Sequence, residues 1–410
     1  MRKIIEPQRE ISIVKEVDVV VVGGGPAGLG AAIAAARNGA DALLIERYGH
    51  LGGMATGGLV LLVGPFTDGK LQVMGGIPLE IIQRLEKKGW AKWEEQIPGY
   101  FTVDPEGLKY EANQILNEAG AQILMHSLGV APIMEKNTIK GVIVESKAGR
   151  KAILAKMVID ASGDGDIAAL AGVPFQEDIH PFGISLNHRI GGVDLTKFVT
   201  FQEKHPDRWQ ELKNSMNKKG FVSKWLKTTI KNVIWCNGPN LKNLNALNPK
   251  DLTRVEIDAR ANIMAAIQFY QQKIPGFENA YLLDTAPQLG VRETRRIIGE
   301  YTLTWKDVEQ TQHFEDTIVC SSTEITPRIR YYISFRCLIP KNVEGLLVAG
   351  RCISCTHEAL NPVRVIPPCI AMGQAAGNAA WLAVKNQVSP RNLNPKDIQI
   401  LLEEQNAILI

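Results

Sequence analysis

The sequence predicts an α/β protein: a doubly wound parallel sheet with a β-meander, formed from both ends of the chain, and an α+β domain inserted between them. Three observations carry that expectation. Asp18 to Val22 (DVVVV) leads through a glycine turn into an alanine-rich stretch, Pro26 to Asn38, and then a second apolar run, Ala42 to Glu46. Strand, helix and strand within about thirty residues make a parallel crossover unit. Near the other end, Leu346 to Ala349 and Pro368 to Ala383 repeat the pairing of a short apolar strand with an Ala/Gly-rich helix. Between them, residues 195–275 are rich in Lys, Asn, Trp and Gln at helical spacing. The expected units are 1–175 and 341–410 for the sheet domain and 176–340 for the insertion.

Each element follows from local chemistry. A β-branched run without polar alternation reads as a strand covered on both faces. Pro26 to Asn38 reads as a helix closed by Gly39. Pro105 to Ala119 carries helical spacing, and Ala121 to Ile159 reads as four short strands turning at Lys136-Asn137 and Ala148-Gly149. That segment is expected to be a meander and not another crossover.

Composition excludes several classes. The 410 residues carry 46 Lys+Arg against 43 Asp+Glu, a formal charge of +3, with 45% hydrophobic and 22% charged residues. This is the balance of a globular chain, not a disordered one. No dense basic tract is present, so nucleic-acid binding has no electrostatic footprint. Met1 to Glu10 (MRKIIEPQRE) is charged and unlike a signal peptide. Val19 to Ala36 is free of charge, but its glycines and Pro26 argue for strand, turn and helix, and against a transmembrane segment. The six cysteines are sparse for a disulfide framework, so a cytoplasmic location is expected. His188, His205 and His313 are isolated and no Cys/His cluster has ligand spacing, so no metal is expected.

The glycine turn satisfies G-x-G-x-x-G. Gly23 allows the tight turn, Gly25 lets backbone approach a pyrophosphate, and Gly28 permits close packing of helix on strand. The helix N-terminus offers free N–H groups to the anion. Glu46, at the end of the second strand, is placed to accept from a ribose hydroxyl. A second glycine patch, Gly52 to Gly58, follows shortly after. An acidic glycine turn, Asp160 to Asp166, closes the predicted meander. A nicotinamide domain has no use for the second patch, whereas a cofactor reaching further from its adenosine half does. No second G-x-G-x-x-G appears later, so a separate NAD(P)H domain is not expected.

The segments VVVVGGGPAGLGAA, GGMATGG, VIDASGDGDIAALAG and GLLVAGRCISCTHEAL with MGQAAGNAA resemble FAD-dependent oxidoreductases of the glutathione-reductase-like superfamily. More narrowly, they resemble a branch distantly related to fumarate reductase and succinate dehydrogenase flavoproteins. The resemblance implies a Rossmann-like FAD-binding domain with FAD held non-covalently. It places Gly23, Gly25, Pro26, Ala27 and Gly28 at the pyrophosphate, and Glu46 and Arg47 at the adenosine. Gly53, Met54, Ala55 and Thr56 would follow the ribityl chain and flavin edge, and Val130 would contact adenine. Gly163 and Asp164, in the acidic turn, join the cofactor set. Gly350 and Arg351 match the place where relatives carry Gly-Asp, so Arg351 departs from the pattern. Gly373, Gln374 and Ala375 would open the last helix, its positive end facing the flavin.

The flavin supplies hydride chemistry, and the protein must hold the substrate and manage protons. His357, in a polar loop (RCISCTHEALNPVRVIPP) after the last strand, is the candidate acid or base. Arg292 and Arg364 are candidate partners for an anion or oxyanion. Arg292 and Arg296 would share a face if VRETRRIIGEYT were helical. The expected activity is hydride transfer to or from a small polar molecule: a hydroxy acid, polyol, sugar-like compound or unsaturated carboxylate. Protein or quinone acceptors and homo-oligomers are compatible with it. Two alternatives stay open, an FAD subunit passing electrons to a protein or iron–sulfur partner, and a disulfide reductase using Cys352 and Cys355.

Overall fold

β1 (Ile13–Val22) buries Val19, Val20 and Val21 completely, as an uninterrupted β-branched run should when both faces of its sheet are covered. The structure, a computed structural model, describes residues 4, 7–177, 182–324 and 328–409. Parts of the charged N-terminal stretch (Met1–Lys3, Ile5 and Glu6) therefore lie outside the described residues. α1 (Pro26–Arg37) starts on a proline, whose missing N–H would have no partner at that position. β2 (Ala42–Ile45) returns parallel to β1, Val19 opposite Ala42 and Val22 opposite Ile45. α2 (Pro105–Ala119) has the predicted bounds. Asp104 Oδ1 accepts from Gly107 N at 2.7 Å, and Gly120 ends the helix at φ +80°.

Of the four strands predicted between Ala121 and Ile159, the first behaves differently. β3 (Gln122–Leu124) lies parallel to β2, with Leu43 opposite Gln122, so this segment does contain a crossover, made through α2. The helix before it delivers the chain to the open edge beside β2. The meander is the remaining three strands: β4 (Leu128–Glu135), β5 (Thr138–Ser146) and β6 (Gly149–Asp160). β6 also pairs in parallel with β1.

A second group of buried side chains is built around β7 (His188–Gly191), β8 (Trp225–Lys227), β9 (Ile234–Cys236) and a long helix, α3 (Pro249–Lys273). β10 (Tyr281–Thr285) completes an antiparallel sheet in the order β8-β9-β7-β10. α3 buries Val255, Ala259, Ile263, Ala266, Ile267 and Tyr270 as one stripe. This cluster draws on residues 184–291 together with Leu59 and Leu61, whereas Ile297 through Ile339 pack into the first cluster.

The C-terminal part then completes the first sheet. β11 (Leu346–Val348) pairs in parallel with the end of β6, Val348 opposite Asp160. α4 (His357–Val363) and α5 (Ile366–Asn386) follow. α5 begins earlier than predicted because Pro367 supplies the helix start that sequence spacing assigned to Pro368. α1 and α5 touch backbone to backbone. A Cβ on Gly373 would lie 2.8 Å from the carbonyl carbon of Ala27 and 2.9 Å from Ala31 N, and one on Gly30 would lie 2.9 Å from Gln374 N. Among the described residues, no helix is long and apolar enough to cross a membrane.

Candidate active site

A cavity of about 290 Å³ opens where β1, β6 and β11 end and meets residues of the second cluster. Sites beyond the carboxyl ends of parallel strands are where α/β sheets bind ligands, because the connecting loops splay apart there.

Its first wall is Gly23, Gly25, Pro26 and Ala27. Gly23 adopts φ +104°, and a Cβ there would sit 2.5 Å from Ala161 O. A Cβ on Gly25 would meet nothing nearer than Gly53 Cα at 3.9 Å, so the backbone is bare at this point. Gly28 lies outside the wall, where a Cβ would press on the Gly23 carbonyl. Glu46 is buried and held by two backbone donors, Gly24 N to Oε2 at 2.7 Å and Tyr48 N to Oε1 at 2.9 Å. Its carboxylate therefore ties the first glycine turn to the end of β2. Arg47 lines the cavity, its guanidinium 4.9 Å from the Tyr48 ring centre. At the start of β4 the wall takes Ser127, Leu128 and Gly129, and Val130 stands outside it.

The second glycine patch docks on the first: Gly52 N donates to Gly24 O at 2.8 Å. Gly53 and Met54 reach the cavity. Ala55 and Thr56 are buried beneath it, the Thr56 hydroxyl donating to Leu51 O at 2.5 Å. In the third turn, Asp160 accepts from Ser162 N at 3.0 Å, Ser162 Oγ at 2.6 Å and Ala168 N at 2.9 Å. Burial raises the Asp160 pKa above the usual range. Gly163 and Asp166 line the cavity, while Asp164 lies behind it, accepting from Thr294 Oγ1 at 2.7 Å and Arg351 Nη2 at 2.8 Å. Burial opposes ionisation of Asp164, yet the Arg351 charge and these bonds hold its pKa below the ordinary value. Arg351 thus lines the cavity beside Gly350 as half of an ion pair.

α5 meets the cavity through Val365 and Ile366, its N-cap and first residue. Gly373, Gln374 and Ala375, expected at its opening, lie about two turns further in and are buried. There Gly373 packs on α1, and Gln374 Oε1 accepts from Ile77 N at 2.9 Å.

The opposite wall comprises Ser185, Asn187, Trp235, Asn237, Gln288 and Arg292, completed by Glu324 and Arg364. The segment holding Arg292 is not helical. Short strands Gly290–Val291 and Arg295–Ile297 flank it, the latter pairing antiparallel with Phe175–Glu177. Ladder pairing thus overrides the i, i+4 pattern and separates the arginines. Arg292 turns to Asn237 Oδ1 at 3.1 Å and Asn240 Oδ1 at 3.3 Å, while Arg296 forms a buried ion pair with Glu293 and donates to Cys355 O at 3.1 Å. Arg364 donates to Asn361 Oδ1 at 2.7 Å and lies over the Phe182 ring at 5.1 Å, its Nε buried without a partner. Burial and the neighbouring Arg292 charge bring the Arg364 pKa down to about 10, and burial lowers that of Arg292. Glu324 shifts the other way: burial raises its pKa against the pull of Arg364 and Arg292.

His357 is not in the wall. Its Nδ1 is 2.8 Å from Glu293 Oε2, and its ring stacks on the same Phe182, centroids 4.7 Å apart. Glu358, next in sequence, is exposed, and Glu293 is the carboxylate that orients His357. Sequence reasoning also missed Glu324, Ser185, Asn187, Trp235 and Gln288. The one available signal was IWCNGPN, an apolar run ending in a polar Asn-Gly-Pro turn. All six cysteines are free and buried. Burial pushes the Cys355 thiol up to about 12 and Cys352 well above its ordinary value, and neither lines the cavity. Among the described residues no group of three or more His, Cys, Asp or Glu is arranged to hold a metal.

A family model described as FAD dependent oxidoreductase matches residues 18–402. The chain belongs to this family. FAD is its cofactor. A thiamine thiazole synthase from Methanococcus vannielii is 32% identical over 160 residues, a match spanning 36% of this chain and 56% of that relative. Digeranylgeranylglycerophospholipid reductase 1 from Methanopyrus kandleri is 30% identical over 169 residues, 40% of this chain and 45% of the relative. The curated relatives are thus covered over only about half of their length. A geranylgeranyl bacteriochlorophyll reductase-like structure from Thermoplasma acidophilum covers 96% of this chain and 84% of its own, at 14% identity and a TM-score of 0.50, a likeness of fold.

The residues present fit FAD. A bare glycine backbone at Gly25, a carboxylate fixed at Glu46 and a helix start at Pro26 make a dinucleotide cradle. Five polar atoms of the cavity-lining residues lack partners among the described residues: Ser185 Oγ, Asn187 Oδ1, Trp235 Nε1, Gln288 Oε1 and Arg364 Nε. Such atoms are rare in folded proteins and point to a bound polar ligand or water.

Proposed function

We propose that this chain is an FAD-dependent oxidoreductase acting on a small polar organic molecule, by hydride exchange with the flavin. The observation that carries it is continuity: one cavity joins the glycine cradle to Trp235, Gln288, Arg292, Glu324 and Arg364. When bound, the flavin supplies the hydride chemistry. Gly23, Gly25, Pro26 and Ala27 hold the pyrophosphate, Glu46 and Arg47 the adenosine end, and Gly53, Met54, Gly350 and Arg351 the chain between. Residues 184–291 supply much of the wall that faces the substrate. His357, outside the wall, is a positioning residue: with Glu293 it fixes Phe182, against which Arg364 lies. The buried, high-pKa Cys352 and Cys355 disfavour disulfide exchange, since the thiolate is the reactive form.

The test is an anaerobic absorbance titration of purified protein with hydroxy acids, polyols, glycosides and unsaturated carboxylates. Bleaching of the flavin band, or its reoxidation after chemical reduction, by one of these classes supports the proposal. A flavoprotein that none of them reduces or reoxidises defeats it, and a protein that cannot be loaded with FAD defeats it more completely.

A further inference from the structure

Resting on that functional reading, we infer that the wall formed by Arg292, Arg364 and Glu324 is a receptor for the carboxylate of a small monoanion. The two arginines grip the anion, and Glu324 takes up a proton as it enters.

Among the described residues, neither arginine forms an ion pair. Their nearest acceptors are neutral amide and carbonyl oxygens: Asn237, Asn240 and Gly183 for Arg292, and Asn361 for Arg364. Arg364 also keeps a buried Nε–H with no acceptor among the described residues. Two guanidinium groups sharing one wall repel, and only a nearby anion relieves the repulsion. Glu324 does so in part, since it acts electrostatically on both. Two cations against one carboxylate leave a single positive charge at this end of the cavity. Arg351, which lines the cavity beside Gly350, is already balanced by Asp164. An entering monoanion therefore takes over from Glu324 as counter-charge to the arginines, and the planar fork of a guanidinium suits a carboxylate.

Proton uptake follows from the same charges. The groups acting on Glu324 are Arg292 and Arg364, with Tyr100 and Tyr331 nearby and Arg328 beside Tyr100. Burial already favours its protonated form. An entering anion takes the arginine charge that held Glu324 ionised, so its affinity for a proton rises further. Binding is then strongest where Glu324 is protonated and weakens as pH rises through its pKa.

The experiment uses the FAD-loaded protein and four probes, glycolate, lactate, benzoate and succinate, each beside its amide. Binding is read from shifts of the flavin absorption bands and from changes in tryptophan fluorescence. Calorimetry in Bis-Tris and imidazole buffers counts protons taken up. We expect at least one carboxylate to bind, its amide to bind at least tenfold more weakly, and proton uptake that disappears in Glu324→Gln. Arg364→Gln and Arg292→Gln, each checked for full FAD content, should weaken the carboxylate by roughly 10- to 100-fold, the scale of a lost charge-assisted hydrogen bond. The inference is overturned if the FAD-loaded protein binds none of the four carboxylates, or binds acid and amide alike. It is equally overturned if both arginine variants keep wild-type affinity, or if uptake survives in Glu324→Gln. Failure to hold FAD would instead refute the underlying functional reading.

Discussion

Substitution of Gly373 by alanine separates two explanations of one glycine. If Gly373 served the cofactor, alanine would weaken FAD binding and leave the apoprotein as stable as before, or more so, since alanine favours a helix interior by about 1 kcal/mol. The structure gives it another task. A methyl group there would stand 2.8 Å from the carbonyl carbon of Ala27 and 2.9 Å from Ala31 N, closer still to Ala27 O, and all of these are backbone atoms. Neither helix can yield by turning a side chain, so α5 must move away from α1. Because every atom struck is backbone, the overpacking cost falls in the upper part of the usual range, about 2–3 kcal/mol, and subtracting the helix gain leaves a net loss of about 1–2 kcal/mol. At roughly 2–4 °C per kcal/mol for a domain of this scale, the apoprotein should melt about 2–8 °C lower. Calorimetry of the apoprotein is the assay. An unchanged or raised Tm would refute the packing argument, and an unchanged Tm with weakened FAD binding would return Gly373 to the cofactor.

Three further outcomes follow from the same structure. Glu46→Gln keeps one acceptor but sets an amide N–H against Gly24 N or Tyr48 N, so FAD affinity should fall about 10- to 100-fold in a fluorescence titration of the apoprotein. Cys355→Ser should retain full activity, and an aromatic disulfide reagent at pH 8 should leave Cys352 and Cys355 unlabelled until the protein unfolds. His188 is buried, its Nδ1–H donating to Gly238 O at 2.9 Å, and burial lowers its pKa to about 4. The unfolded chain binds that proton more readily, so the stability His188 protects is complete above about pH 6.5. It is lost as pH falls towards 4, by about 3 kcal/mol in all, and His188→Gln should flatten the acid limb of Tm against pH.

The parts of this fold legible in the sequence are those fixed by contacts between near neighbours. Asp18 to Ile45 announces its crossover because strand, glycine turn and helix interact within that one stretch. α2 was readable to its last residue because Pro105 and Gly120 mark its ends. Gln122–Leu124 was misplaced because its partner, Leu43–Ile45, lies far back in the chain and a three-residue strand carries no directional pattern. The wall opposite the cradle was opaque for the same reason. Arg292, Glu324 and Arg364 come from separate segments, and nothing local to any of them signals the others. Arg292 was singled out through a helical spacing that the strand pairing of Arg295–Ile297 does not permit. His357 drew attention as a histidine near the flavin-side strand, but its partner Glu293 and the intervening Phe182 depend on tertiary packing.

The glycines make the physical point most sharply. A glycine that leaves room for a ligand and one that leaves room for another backbone are the same letter, and both occur here in short runs beside helices. What separates them is the object a Cβ would meet. At Gly25 that object is distant, 3.9 Å away, and the exposed backbone lines a cavity. At Gly30, Gly373 and Gly377 it is the main chain of the opposing helix. The MGQAAGNAA segment is therefore a helix-packing surface that fixes α5 against α1, and through α1 the cradle at Gly25 to Ala27. Its influence on FAD is indirect: by holding α1, it sets where the bare backbone stands.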